Sequence, residues 1–201
     1  MKYPSFFLEY HALQIHSAIA GVDEVGRGCL FGPVVAGIVV LTNEKQYIPQ
    51  VRDSKTLSEL QRTILSSQIK ETVPAFGLGE ASATEIDTFG IRKATQLAMM
   101  RAYWQLSLQP EVLLMDGEKA TIPFLGKTFQ FTKGDLNHYS IAAASVIAKV
   151  YRDNLISSMS EEFPEYSLSS NKGYGTAAHM KALREHGATP LHRKSFLSFL
   201  S

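Results

Sequence analysis

Cysteine is almost missing from this sequence: Cys29 stands alone among 201 residues. A disulfide framework and a cysteine zinc cluster are thereby excluded, and a reducing, cytoplasmic setting is expected. No apolar run reaches the roughly 20 residues that a membrane span needs, so no membrane partner is expected. The opening stretch, Met1 to Glu9, lacks the long apolar core and small-residue cleavage site of a secretory signal. Charge of neither sign prevails, with 20 Lys and Arg against 19 Asp and Glu. Bulk charge therefore announces no nucleic-acid binder. Low-complexity tracts, internal repeats and Pro/Gly/Ser linkers are also absent. One domain over residues 1–201 is expected, with a core over about 18–160 and a C-terminal helical segment over about 170–201.

What is present is a mixed pattern of strands and helices. Ile19–Val22 and Val34–Leu41 are short β-branched apolar runs and predict neighbouring strands. Phe76–Ala83 predicts a third strand, Val112–Met115 a buried one, and Thr128–Phe131 another. Ser58 with Gln61 makes a capping-box start for a helix. Ile91, Ala94, Leu97, Ala98 and Tyr103 recur at helical spacing over Ile91 to Leu106. Ser140 to Ile156 and Thr176–Glu185 predict two more helices, the second stopped by Gly187. Met99, Met100 and Trp104 read most simply as core. The expectation is an α/β fold, a mixed sheet of about five strands flanked by helices, with a short helical C-terminal appendage.

Three of these strands end in acids: Asp23-Glu24, Asp116 and Asp135. Any one acid alone reads as a turn residue or helix cap. Together, on one rim of a sheet, they make an oxygen cage for a hard cation, magnesium or manganese. Successive strand residues face opposite ways, so Asp23 and Glu24 share a site only if the strand twists or bulges there. Beside them Gly26-Arg27-Gly28 offers flexible backbone donors and a cation, a pairing suited to a phosphate ester. Two other motifs fail. Position 31 is Phe31, which breaks a dinucleotide fingerprint, and Thr121 stands where a phosphate loop before Gly126-Lys127-Thr128 needs glycine. From Lys172 to Lys194 five basic residues face the single acid Glu185, a basic track or simply a solvated face. His138, His179, His186 and His192 have no zinc-site spacing and read as surface or packing residues.

Seven stretches, in order, resemble the motifs of bacterial ribonuclease HII. They are Gly21-Val22-Asp23-Glu24-Val25-Gly26-Arg27-Gly28, Asp53-Ser54-Lys55-Thr56-Leu57-Ser58, Met115-Asp116-Gly117 and Lys133-Gly134-Asp135. The others are the run Ala142 to Val150, Lys172-Gly173-Tyr174-Gly175-Thr176, and His186 to Phe196. Each is weak alone, but the series covers about residues 18–197. The resemblance implies an RNase H-like fold and endonucleolytic cleavage of RNA in RNA–DNA hybrids. It also implies incision 5′ of ribonucleotides embedded in duplex DNA, leaving 3′-hydroxyl and 5′-phosphate ends. The family's four metal-binding acids fall on Asp23, Glu24, Asp116 and Asp135. Two cations, Mn2+ or Mg2+, roughly 3.5–4 Å apart would activate a water and stabilise the leaving oxygen.

Selectivity must then rest on the 2′-hydroxyl. By the resemblance, Gly26, Arg27 and Gly28 contact that region and Tyr174 stacks on the following sugar. Lys55, Ser145, Lys149 and Arg193 are candidate phosphate contacts, each with a solvated side chain as the plain alternative. Asp153 recurs in the family but reads better as the i,i+4 partner of Lys149. Asn171 and Thr56 depart from the common family residues and bear on substrate affinity alone. About seventeen residues before the first strand are too few for an added N-terminal domain, and the sequence stops soon after the last motif. A monomer is expected. The alternatives are another RNase H-like nuclease, which would not need the Gly-Arg-Gly loop with Tyr174, and a non-catalytic hybrid-binding protein, to which clustered acids bring only repulsion.

Overall fold

A computed structural model describes residues 3–117 and 122–198. Thr121, whose identity breaks the phosphate-loop pattern, lies outside the described residues. Five strands form one mixed sheet in the order β3-β2-β1-β4-β5. They are β1 (Ile19–Val25), β2 (Val34–Leu41), β3 (Ala75–Ala81), β4 (Val112–Asp116) and β5 (Lys127–Phe131). β1, β2 and β3 pair antiparallel, while β1, β4 and β5 run parallel. The expected α/β sheet flanked by helices is therefore what the chain builds.

Every residue of β2 is buried, a continuous apolar run rather than an alternating one, because helices cover both faces of the sheet. One face holds Ala20, Val22, Ile38 and Val40 against α4 (Ile91–Trp104), through Ala94, Ala98 and Ala102. The other holds Ile19, Val39 and Leu114 against α2 (Glu59–Thr72) and α6 (Tyr139–Met159). Ser58 and Gln61 close the expected capping box of α2 at 3.2 and 3.0 Å.

α6 lies very close to the sheet. A Cβ on Gly21 would fall 2.0 Å from the carbonyl carbon of Ser140, and one on Gly37 would fall 2.5 Å from Ala144 O. These glycines, with the alanines of α6, let backbone approach backbone. The start of α6 has no local side-chain cap. The carboxylate of Glu9, on the N-terminal helix α1 (Phe7–Leu13), supplies one from a distance, accepting from the Ser140 N–H and hydroxyl at 2.8 Å each. A negative group there suits the helix dipole.

Two expectations need correction, and several short helices were not foreseen. The third strand ends at Ala81, not Ala83, because Ser82 and Glu85 form a second capping box that opens α3 (Ala83–Phe89). α1 is one of those unforeseen helices. Trp104 is 65% exposed: α4 buries the Ala94–Ala98–Ala102 stripe, and two residues further on the helix faces solvent. Beyond α6 the chain forms short helices α7 (Leu168–Asn171) and α8 (Ala177–His186), which pack with Leu30, Phe31 and Ile156 in a third apolar cluster. Among the described residues no helix is long and apolar enough to cross a membrane.

Candidate active site

The parallel ladder between β1 and β4 runs from Ile19↔Val112 to Val22↔Met115. The next residues are Asp23 and Asp116, so two carboxylates stand side by side where the strands part. Alternation places both on the α6 face of the sheet. β5 then ends at Phe131, and a left-handed turn at Lys133 (φ 57°) leads into the short helix α5 (Gly134–Asn137) carrying Asp135. Gly134 packs closely here. Its N–H donates to Asp116 Oδ1 at 2.5 Å, and a Cβ would meet Ile141 Cδ1 at 2.6 Å. Glu24 leaves the opposite face of β1 yet lines the same cleft, because the strand finishes one residue later. No bulge is needed: Asp23 and Glu24 pair one-to-one with Gly37 and Ala36.

The resulting cleft has a volume of about 410 Å³ and is lined by Asp23, Glu24, Val25, Ser54, Lys55, Asp116, Asp135, Ser145, Lys149 and Tyr174. Burial pushes the Asp23 carboxyl well above its ordinary range, and the charges of Glu24, Asp116 and Asp135 push it further, against a hydrogen bond from Ser145. Burial also raises Glu24, with Arg27 opposing and Asp116 adding, and raises Asp135, where Asp116 adds and Lys55 opposes. This is crowded negative charge with too little compensation, built from hard oxygen donors. Such a donor set fits Mg2+ or Mn2+.

Among the described residues, no three His, Cys, Asp or Glu side chains already close on one point as a finished metal shell. Each acid is held by a donor of its own. Asp23 Oδ1 accepts from the Glu24 N–H at 2.7 Å, Glu24 Oε1 from Arg27 Nη1 at 3.1 Å, and Asp135 Oδ2 lies 3.7 Å from Lys55 Nζ.

Four of the eight expected substrate residues, Lys55, Ser145, Lys149 and Tyr174, line this cleft. Ser145, on α6, is buried and 3.1 Å from the Ser54 hydroxyl. Lys149 lies one turn on, 2.8 Å from Asp153 Oδ1 as expected, with its ammonium 5.7 Å from the centre of the Tyr174 ring. Tyr174 is 39% exposed, and burial pushes its hydroxyl up to about 12. Arg27 is half exposed beside Glu24. A Cβ on Gly26 (φ 87°) would strike Arg152 Nε at 2.1 Å, so this glycine is structural. A Cβ on Gly28 would meet nothing within 4 Å. That glycine leaves open space beside the cleft.

Arg193 takes a different place from the phosphate contact expected of it. It is fully buried, with Nε donating to Gly32 O and Nη1 to Arg27 O, each at 2.9 Å. Its guanidinium holds the Gly-Arg-Gly loop rather than facing the cleft. Arg152, passed over in the sequence, does the same work nearby. It donates to Pro33 O at 3.0 Å, Lys172 O at 2.8 Å and Phe31 O at 2.9 Å. Arg62 holds the Lys55 segment through Ser54 O and Leu57 O. Asn171 accepts from the Gly173 N–H at 2.8 Å and so shapes the turn before Tyr174. Arginine is usually solvated, and sequence carries no sign that it will instead clamp carbonyls.

A mixed five-stranded sheet with carboxylates gathered where its parallel strands part defines a ribonuclease H-like α/β protein. Comparison with known proteins agrees. The ribonuclease HII family model matches residues 20–199. Ribonuclease HII of Prochlorococcus marinus is 50% identical over 182 residues, covering 89% of this chain and 95% of that protein. The Trichormus variabilis enzyme of the same name is 46% identical, covering 90% and 82%. Among solved structures, ribonuclease H2 from Pyrococcus horikoshii OT3 shares the fold with a TM-score of 0.75 at 24% identity, covering 89% of this chain and 93% of that one. Bst-RNase HIII in complex with Mn2+ gives 0.69 at 20% identity, covering 94% and 72%. The chain belongs to the ribonuclease HII family and is an endonuclease of the hydrolase class.

Proposed function

We propose that this protein cleaves the RNA strand of RNA–DNA hybrids and incises duplex DNA 5′ of an embedded ribonucleotide, leaving 3′-hydroxyl and 5′-phosphate ends. It would act as a single-domain monomer in the cytoplasm and take part in clearing ribonucleotides from DNA. The observation that carries this reading is the acid-lined cleft with Tyr174 on its wall and Arg27 beside it. Asp23, Glu24, Asp116 and Asp135 are the residues that would hold divalent cations, two during catalysis. Bound there, manganese or magnesium supplies a more acidic water and charge neutralisation at the phosphate.

The remaining work belongs to the chain's own groups. Lys55 and Lys149 bring cationic donors to a strand backbone entering the cleft. The Ser145 hydroxyl orients Asp23. The open space at Gly28 and the neighbouring N–H groups suit close approach of a ribose, whose 2′-hydroxyl both donates and accepts. Tyr174 offers a rigid face for the next sugar, with Lys149 beside the ring. Arg193 and Arg152 hold these two recognition loops by their carbonyls.

The test is a labelled DNA duplex with one ribonucleotide, incubated with Mn2+ and with Mg2+. Incision 5′ of the ribonucleotide is expected, with none in an all-DNA duplex and none from Asp116→Asn. Folded wild-type protein that leaves the duplex intact with both metals would overturn the reading.

A further inference from the structure

His179 on α8 and His192 beyond it are both buried, and their Nε2 atoms lie 3.0 Å apart. Two imidazole nitrogens at that distance share one proton, so their tautomers must be complementary. The surroundings fix the direction. The Thr189 backbone N–H, which can only donate, lies 3.0 Å from His192 Nδ1. That nitrogen is therefore the acceptor, and His192 carries its proton on Nε2. His179 Nδ1 lies 2.9 Å from the Tyr174 carbonyl, which can only accept. His179 therefore carries its proton on Nδ1 and turns a bare Nε2 to His192. One directed chain results, from Thr189 through His192 and His179 to the Tyr174 carbonyl. Neither ring is charged in this arrangement, and burial lowers the proton affinity of both.

The far end of the chain is tied to the other recognition element. His192 forms an antiparallel bridge with Phe31. The next residue, Arg193, donates its backbone N–H to Leu30 O at 2.8 Å and its Nη1 to Arg27 O at 2.9 Å. Neither histidine lines the acid cleft, so both act through other residues. An edge contact to Phe31 and a tilted one to Tyr166, with ring centres 4.9 and 4.8 Å from His192, need only a flat ring. A polar chain of one fixed direction needs histidine at both positions.

We propose that His179 and His192 are positioning residues whose directed hydrogen-bond chain sets Tyr174 against the Gly26-Arg27-Gly28 loop, and so sets the gap a ribose must fill between them. This role rests on the ribonucleotide reading above. Nitrogen NMR of the imidazoles in the wild-type protein is expected to find His192 protonated on Nε2 and His179 on Nδ1. The opposite tautomers, or rapid averaging between them, would overturn the chain itself. In kinetics on the one-ribonucleotide duplex with Mn2+, His179→Gln is expected to lower kcat about tenfold, with KM within about twofold, as a misplaced positioning group does. In a Tyr174→Ala background the same substitution is expected to change kcat less than about twofold, since the group it places is gone. His179→Asn, whose amide N–H can sit near the Nδ1 position but which leaves the His192 Nε2–H without its acceptor, is expected to recover only part of the rate. An equal loss in both backgrounds would mark plain destabilisation and overturn the role. Wild-type protein that leaves the duplex uncut would instead overturn the reading on which the role rests.

Discussion

At the scale of single residues, Asp23 is the point of greatest conflict. Its carboxyl is buried among three other acids, and its proton affinity is raised accordingly. A carboxyl whose folded pKa lies above its unfolded value binds more protons in the folded state. Stability therefore falls as pH rises from the ordinary value of 3.8 through the raised one. Function is served at that cost, as acids held apart from water and near one another are what a hard cation needs. Asp23→Asn keeps an oxygen to accept from the Glu24 N–H but removes the charge. In metal-free buffer at neutral pH it is expected to gain about 1 kcal/mol, seen as a Tm rise of roughly 2–4 °C, with the gain shrinking in acid. Mn2+ is expected to raise the wild-type Tm and not that of the variant, and incision is expected to be lost. A variant less stable than wild type in metal-free buffer would show that the acids are not in conflict.

At the scale of elements, the helix that carries Ser145 and Lys149 is placed by what β1 and β2 lack. Gly21 and Gly37 leave α6 against the sheet at backbone distance, which brings Ser145 to the Asp23 carboxyl. Gly21→Ala puts a methyl group into the Ser140 carbonyl carbon, and backbone cannot step aside as a side chain can. A loss of about 3 kcal/mol or more is expected in urea unfolding, and the surviving folded protein is expected to have reduced kcat. Stability within about 0.5 kcal/mol of wild type would mean that α6 has freedom to shift. Most elements were readable from local pattern, because apolar spacing and capping boxes act within a few residues. α3 was missed: its start and stop signals, Ser82, Glu85 and Gly90, are local, but the alternation of β3 was read on over them. The close seat of α6 was not readable, since a glycine in a strand gives no sign of which backbone will approach it.

At the scale of the whole molecule, a net charge of +1 conceals a local concentration of both signs at one cleft. The acids lie in the cleft, while Lys55, Lys149 and Arg27 lie in or beside it. A duplex bound through such groups releases counterions, so log kcat/KM is expected to fall linearly with log salt. Lys55→Ala is expected to shallow that slope by about one unit. An unchanged slope would remove Lys55 from the phosphate contacts.

The sequence by itself determined the strands and the four longest helices, and it marked the four acids, because strand ends and turn glycines are written in neighbouring residues. It also carried the family resemblance in motif order. Only the tertiary structure decided which oxygens each acid's donor occupies, that Glu24 joins Asp23 without a bulge, and that Arg193, expected as a phosphate contact, is buried and bonded to the Arg27 carbonyl. It alone paired His179 with His192 across 13 positions. The physical reason is common to all of these. A hydrogen bond between distant residues depends on where whole elements come to rest, and that is set by packing against the sheet rather than by the spacing of residues along the chain.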